Sequence, residues 1–105
     1  MPASTVLCIL LNFRTPDMTL RAAETALADL HAVGGELVIV DNASGDGSYA
    51  QITQEVAARG WAADGLVRVV ASPVNGGFGA GNNIGLAMRL SDGQRPDYYW
   101  SSLRV

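Results

Sequence analysis

The sequence has little cysteine and little positive charge, and each shortage excludes a class of protein. Among its 105 residues there is one cysteine, Cys8, which lies within an apolar run. A single thiol excludes an internal disulfide, and no Cys or His residues stand at the spacing of a metal site. We therefore interpret Cys8 as a small buried hydrophobic residue. Seven basic residues against ten acidic ones give a net charge of -3 and form no cluster, which argues against nucleic acid as a partner.

A long apolar run is also missing. No stretch approaches the roughly 20 residues that a membrane-spanning helix needs. The opening residues lack the basic region of a signal peptide. With 49% hydrophobic and 16% charged residues the chain is globular rather than disordered, and its length suits one modest domain. We expect a cytoplasmic protein in which residues 1–105 form a single domain.

Four apolar runs predict the strands of a sheet. Residues 5–13, 37–40 and 66–71 are short runs rich in Val, Ile and Leu. Such runs are typical of strands buried on both faces, as in a parallel sheet covered by helices. Arg68 in the third run predicts an edge position for that strand. Residues 98–100, Tyr-Tyr-Trp, begin a fourth strand. We predict the strand order 3-2-1, with the fourth strand beside the first.

Helix signals lie between these runs. Residues 15–17, Thr-Pro-Asp, form a helix start in which Thr15 caps free amides, and the glycine pair 34–35 ends that helix. Ser48 with Gln51 fits a capping box and predicts the start of a second helix. Strands that alternate with helices predict an α/β fold with three layers, helix–sheet–helix, and a mainly parallel sheet.

A glycine-rich segment, residues 75–85, follows the third strand. Four of its glycines precede a third helix, whose inner face is predicted to hold Ile84, Ala87 and Met88. Glycines let backbone amides approach a ligand closely, and helix amino termini attract phosphates. The segment lacks the third glycine of a dinucleotide fingerprint and does not follow the first strand. A tight strand-to-helix turn that needs small residues explains the glycines equally well.

Asp41 is the first candidate for a binding residue. It directly follows the second strand, at the sheet edge where open α/β proteins bind their ligands. A carboxylate carried there by a rigid strand is well placed to accept a hydrogen bond from a ligand N–H or hydroxyl. A solvated turn or a cap is the other interpretation of Asp41. Asp46, between two glycines, is more typical of a turn or capping residue.

Three segments, in this order and at this spacing, resemble one family. They are the strand end Asn12-Phe13-Arg14, residues 40–48 (VDNASGDGS) and residues 75–85 (NGGFGAGNNIG). Together they look like the amino-terminal half of an inverting family 2 glycosyltransferase with the GT-A fold. The most similar subgroup is the rhamnosyltransferase-like enzymes of bacterial surface polysaccharide synthesis. The resemblance covers about residues 5–100 and implies a nucleotide-diphosphate sugar, activated by dTDP or UDP, as the substrate.

The resemblance also implies roles for single residues. Asp41 would accept a hydrogen bond from the N–H of uracil or thymine, and Asn12 and Phe13 would line the nucleoside site. Many members of the family carry an arginine where this chain has Asn82. The resemblance therefore does not establish a contact between this position and the diphosphate. The complete set of nucleotide-binding residues implied is Asn12, Phe13, Asp41, Asn75, Asn82 and Asn83.

The family pattern breaks at the fourth strand. In the family that strand leads into an Asp-x-Asp type motif, which holds a divalent metal, Mg²⁺ or Mn²⁺, on the diphosphate. Here Ser101 and Ser102 follow the strand, while Asp92 and Asp97 precede it, at its opposite end. The half that binds the saccharide or lipid-linked saccharide acceptor, with its catalytic base, is also missing. We therefore expect a partial domain with no catalytic residue and no metal, inactive alone, from an enzyme that is cytoplasmic or peripheral to the inner face of the membrane.

Other classes of protein fit some of the same observations. A non-catalytic α/β module would bind a nucleotide weakly, or would pair with another chain through its unfinished sheet. Self-association through an exposed edge strand is expected under either interpretation. A Rossmann oxidoreductase is disfavoured because no glycine fingerprint follows the first strand.

Overall fold

The computed structural model describes residues 5–73 and 77–102. Within these residues strands and helices alternate as β1 (Val6–Asn12), α1 (Pro16–Val33), β2 (Glu36–Asp41), α2 (Ser48–Ala58), β3 (Val67–Ala71), α3 (Gly77–Leu86) and β4 (Tyr98–Ser102). A short 3-10 helix, Ala63–Gly65, precedes β3. The four strands form one all-parallel sheet in the order β3-β2-β1-β4. The predicted strand order and the parallel α/β sheet are confirmed.

Helices cover both faces of the sheet. Successive side chains of a strand point to opposite faces. Cys8, Leu10 and Ile39 belong to a core cluster with residues of α1 and α2, such as Leu20 and Ile52. The second cluster lies on the other face, where α3 contacts β1 and β2, and it consists of Leu7, Ile9, Leu11, Val38, Val40 and Leu90. The arrangement is therefore three-layered, with α1 and α2 on one face and α3 on the other.

The helix α1 begins and ends close to the predicted residues. Pro16 is its first residue, and Gly34 ends it in a left-handed conformation, with a φ of 76° and an N–H that donates to the Leu30 carbonyl at 2.8 Å. Thr15, however, makes no side-chain capping hydrogen bond. Its φ of -131° and ψ of 58° differ from the extended backbone in which a capping hydroxyl reaches the first-turn amides.

The capping box predicted for α2 is wrong. The helix begins at Ser48, as predicted, but its N-cap residue is Gly47, whose φ is 88° and which has no side chain to form the box. Asp46 Oδ1 instead accepts the Ser48 backbone N–H at 3.0 Å and the Ser48 hydroxyl. The Ser48 hydroxyl is therefore a donor to the preceding acid and does not accept a first-turn amide.

The glycines predicted to precede α3 lie largely inside it, since the helix begins at Gly77. A Cβ atom at Gly81 would lie 3.0 Å from Leu11 Cδ2, and one at Gly85 would lie 2.6 Å from Ile9 Cγ2. The absence of side chains at these two positions allows α3 to approach β1 closely.

The inner face of α3 is only partly as predicted. Ile84 and Met88 pack against the second core cluster. Ala87 is exposed and follows the last residue of the helix, Leu86.

The two edges of the sheet are β3 and β4. Arg68 lies in β3, as the edge prediction requires, and its Nη2 donates to Glu36 Oε1 at 3.4 Å and to the Arg89 carbonyl at 2.6 Å. At β4, Tyr98 and Trp100 pair in register with Val6 and Cys8 of β1.

Cys8 is buried, as interpreted from the sequence. Burial, and to a lesser extent the carboxylate of Asp29, raise the pKa of its thiol, so that it stays neutral near pH 7. No helix among residues 5–73 and 77–102 is both long enough and apolar enough to cross a lipid bilayer.

Candidate functional site

The carboxyl ends of β1 and β2 bring two of the predicted site residues together. Asn12 and Asp41 are the last residues of their strands and are register partners in the parallel pair. Asn12 Nδ2 donates to Asp41 Oδ1 at 2.8 Å. Both side chains are buried, and Asp41 retains only 4% exposure. The strand alternation that buries Leu10 and Ile39 on the α1 face also turns Asn12 and Asp41 towards α1.

Ser44 completes the hydrogen bonding of the Asp41 carboxylate. Its hydroxyl donates to Asp41 Oδ1 at 2.6 Å, and its backbone N–H donates to Oδ2 at 3.3 Å. An ionised carboxylate accepts up to about four hydrogen bonds. Oδ1 is therefore saturated by Asn12 and Ser44, whereas Oδ2 keeps capacity for a further donor.

Thr19 sets the orientation of the Asn12 amide. Its hydroxyl, on the first turn of α1, donates to Asn12 Oδ1 at 2.6 Å, and Thr19 is fully buried. An acceptor at Oδ1 directs the Asn12 NH₂ group to Asp41. We call Asn12, Thr19, Asp41 and Ser44 the carboxyl-edge cluster.

Arg14 connects the loop after β1 with the loop after β2. Its backbone N–H donates to Ser44 Oγ at 2.9 Å, and its Nε donates to the Ser44 carbonyl at 2.9 Å. Arg14 has a φ of 60° and Ala43 a φ of 56°. Left-handed backbone at residues other than glycine is rare and is concentrated at functional sites and tight turns.

Phe13 and Asp46 lie beside this connection. Phe13 is 42% exposed, and the Arg14 guanidinium carbon lies 5.0 Å from its ring centroid. The hydrogen bond from the Ser48 hydroxyl is the main reason that the pKa of Asp46 is lowered, and the positive charge of Arg14 contributes to the same shift. The prediction that Asp46 is a turn and capping residue agrees with its contacts with Ser48.

Two of the asparagines predicted near the nucleotide, Asn82 and Asn83, lie on a different face of the sheet from the carboxyl-edge cluster. Asn82 and Asn83 belong to α3, on the opposite face of the sheet from α1. Asn82 Oδ1 accepts the Ser101 hydroxyl at 2.7 Å, which links α3 to β4, and Asn83 is exposed. Asn75 lies outside the described residues.

The residues around β4 do not fit a divalent metal. Mg²⁺ and Mn²⁺ prefer carboxylate oxygens, and the described part of β4 ends at Ser101 and Ser102 without a carboxylate. Asp97 lies before β4, where its carboxylate accepts the Thr5 N–H at 2.9 Å. In residues 5–73 and 77–102 no three His, Cys, Asp or Glu side chains are placed to hold a metal ion.

Sequence reasoning missed three residues of this edge: Ser44, Thr19 and Arg14. The signal for Ser44 was its position three residues after a strand-end acid, a spacing at which a Ser side chain bonds back to the preceding turn. Thr19 gave no local signal, because its partner Asn12 is on another element. For Arg14, only the left-handed backbone and the contacts with Ser44 reveal its place in the edge.

Comparison of the chain with protein-family models, with curated proteins and with solved structures gave no match.

Proposed function

We propose that this chain is the nucleotide-binding part of an inverting glycosyltransferase with the GT-A fold. The enzyme would transfer a sugar from a dTDP or UDP donor to a saccharide or lipid-linked saccharide, in the synthesis of bacterial surface polysaccharide. The observation that carries the proposal is the Asp41 carboxylate at the end of β2, with Oδ1 saturated and Oδ2 able to accept one more hydrogen bond. The motif order of the sequence supplies the class of enzyme.

A carboxylate held in this way suits one particular ligand group. The internal bonds from Asn12 and Ser44 fix the position of Asp41, so that Oδ2 would be held in one place as the acceptor for a single N–H donor. The imide N–H of uracil or thymine is such a donor, whereas N3 of cytosine is an acceptor. Phe13, exposed in the next position after Asn12, offers a ring for the sugar or base to contact.

The chemistry of transfer would need groups beyond these residues. A general base must take the proton of the acceptor hydroxyl, and the charge of the leaving nucleotide must be neutralised. The described residues do not fit a metal, and so we derive no step through one. What this chain would contribute is recognition and orientation of the nucleotide.

The test compares Asp41→Asn with Asp46→Asn by calorimetric titration with uridine, thymidine and cytidine. In Asp41→Asn the amide oxygen can keep the bonds from Asn12 and from the Ser44 hydroxyl, while an NH₂ group replaces Oδ2 and loses the bond from the Ser44 backbone N–H. We expect uridine or thymidine affinity to fall about tenfold to a hundredfold, from the loss of a charged hydrogen bond of about 1.5–3 kcal/mol. Asp46→Asn, at an exposed turn, is the matched control and should change affinity less than about twofold.

Two results would contradict the proposal. Equal losses in both variants would remove the special role of Asp41. A wild type that binds no pyrimidine nucleoside or nucleotide, with or without Mn²⁺, would contradict the function as a whole. A gain of cytidine binding by Asp41→Asn would be the strongest support, since the new donor matches the cytosine N3 acceptor.

A second candidate is a non-catalytic interaction module. One observation in its favour is the low exposure of Asp41, because the bonds from Asn12 and Ser44 to its carboxylate also serve to join two loops. The other is the set of aromatic side chains exposed along β4. Under this function the titrations show no nucleotide binding, and the chain associates through the β4 edge.

A further inference from the structure

Arg14 is held at the carboxyl edge by three contacts. Its backbone N–H and its Nε both donate to Ser44, each at 2.9 Å, and its guanidinium lies over the Phe13 ring. A long exposed side chain ordinarily samples many rotamers. Here the contacts fix both the position and the plane of the guanidinium, at the conformational cost of a left-handed backbone.

The guanidinium keeps donors for a ligand. Arg carries five N–H groups, and the hydrogen bonds found among residues 5–73 and 77–102 use only the Nε–H of Arg14. The four N–H groups on its two terminal nitrogens are therefore available. Arg59 and Arg68, by contrast, are ion-paired with Glu55 and Glu36 at other places on the fold.

The negative charge of this edge favours an anionic ligand only where a cation such as Arg14 offsets it. The carboxylates of Asp41, at the end of β2, and of Asp46, in the loop that follows, lie at this edge and repel phosphate. Arg14 is the basic residue of the two segments that follow β1 and β2, residues 13–15 and 42–47. A guanidinium is planar and can donate to two phosphate oxygens at once, a geometry suited to binding a diphosphate.

We propose that Arg14 binds the diphosphate of the nucleotide whose base is recognised at Asp41. This inference rests on the proposed function, because it takes the nucleoside to be bound at the carboxyl-edge cluster. Ser44 then has two roles: its hydroxyl holds Asp41 for the base, and its carbonyl holds Arg14 for the phosphates. Base recognition and phosphate recognition are thereby coupled through one residue.

The experiment measures the affinities of uridine and UDP, and of thymidine and dTDP, in a buffer with a chelator so that no metal ion bridges the phosphates. The proteins are the wild-type chain, Arg14→Gln, Arg14→Lys and the control Arg21→Gln, which removes an exposed arginine of α1. We expect Arg14→Gln to lower the affinity for UDP and dTDP by a factor at least tenfold greater than any loss of affinity for uridine and thymidine. Raising the salt concentration should weaken UDP binding in the wild type more than in Arg14→Gln.

The comparison of lysine with glutamine separates charge from loop structure. Both replacements lose the bond from Nε to the Ser44 carbonyl, and only lysine keeps the positive charge. Tighter UDP binding by Arg14→Lys than by Arg14→Gln supports the proposal, and equal binding by the two overturns it.

The remaining outcomes are also decisive. If the wild type binds uridine and UDP equally tightly, the proposed function stands and the role of Arg14 is wrong. If uridine and UDP lose the same factor in Arg14→Gln, the arginine only shapes the loops. If the wild type binds neither ligand, both proposals fail.

Discussion

At the scale of single residues, the carboxyl-edge cluster is a chain of buried hydrogen bonds in which each member orients the next. The Thr19 hydroxyl directs the amide of Asn12. Asn12 and Ser44 both donate to the Asp41 carboxylate, and Ser44 Oγ accepts the backbone N–H of Arg14. Buried polar groups of this kind are costly when one partner is removed, because the remaining group stays desolvated. The cluster therefore makes the geometry of the edge sensitive to residues that would not themselves touch a ligand.

Thr19→Val tests this sensitivity. Valine has nearly the same shape but no hydroxyl, so Asn12 Oδ1 loses its donor while buried, and we expect a loss of about 1–3 kcal/mol in the free energy of unfolding. The measurement is urea denaturation followed by circular dichroism. Thr53→Val in α2 is the control, because the Thr53 hydroxyl bonds to the Tyr49 carbonyl at an exposed site, and it should cost within about 0.5 kcal/mol. Similar losses in both variants would show that the buried Thr19–Asn12 bond adds no more stability than an exposed threonine hydroxyl does.

At the scale of elements, the position of α3 depends on glycines that face β1. Because α3 lies so close to the strand, the side chains of Leu11 and Ile9 occupy the space that a Cβ would need. The glycines lower the intrinsic stability of the helix and raise the quality of its packing. The sequence pattern left a phosphate-binding turn and a tight strand-to-helix turn equally open at this place, and the packing of α3 on β1 is what the structure adds.

Gly85→Ala should destabilise the domain, and Gly81→Ala should not. Both changes increase the intrinsic stability of the helix by about 1 kcal/mol, because alanine has a higher helix propensity than glycine. At Gly85 the new Cβ meets three atoms of the buried Ile9 side chain at 2.6–2.9 Å, and such overpacking costs about 1–3 kcal/mol. At Gly81 the nearest atom is the tip of Leu11 at 3.0 Å, which can move by a few tenths of an ångström. We expect Gly81→Ala to unfold at a higher urea concentration than Gly85→Ala, and the reverse order would contradict the close approach of α3 to Ile9.

At the scale of the whole molecule, the two edges of the sheet differ in their protection. In β3 the charged Arg68 disfavours pairing with a further strand, whereas the part of β4 from Tyr98 to Trp100 has no charged residue. Tyr98 and Trp100 lie on the α1 face of the sheet, in register with Val6 and Cys8. Beside them an open groove of about 390 Å³ runs between α1 and β1, lined by Cys8, Leu10, Ala22, Thr25, Ala26 and Asp29.

We predict that the chain self-associates through β4, and that Trp100→Glu abolishes the association. A charge on this strand is costly in a strand-to-strand contact but not in the monomer, where Trp100 is 41% exposed. Sedimentation velocity over a range of concentrations measures the effect. Tyr49→Glu on α2 is the control, because Tyr49 is also 41% exposed and lies away from this edge. A wild type that stays monomeric at high concentration, or equal effects of both variants, would contradict the prediction.

The sequence alone determined the elements and their order, and the tertiary structure decided how the edge residues interact. Buried strands, the limits of α1 and the edge position of Arg68 follow from periodicity and turn chemistry, which act between near neighbours in the chain. Asn12 and Asp41 were also foreseeable, since parallel strands end at one edge. The sequence did not allow three other features to be foreseen. These are the roles of Thr19, Ser44 and Arg14, the placement of Asn82 on the opposite face of the sheet, and the packing of Gly85 on Ile9. These contacts join residues on different elements, and their geometry exists only once the sheet and helices have packed together.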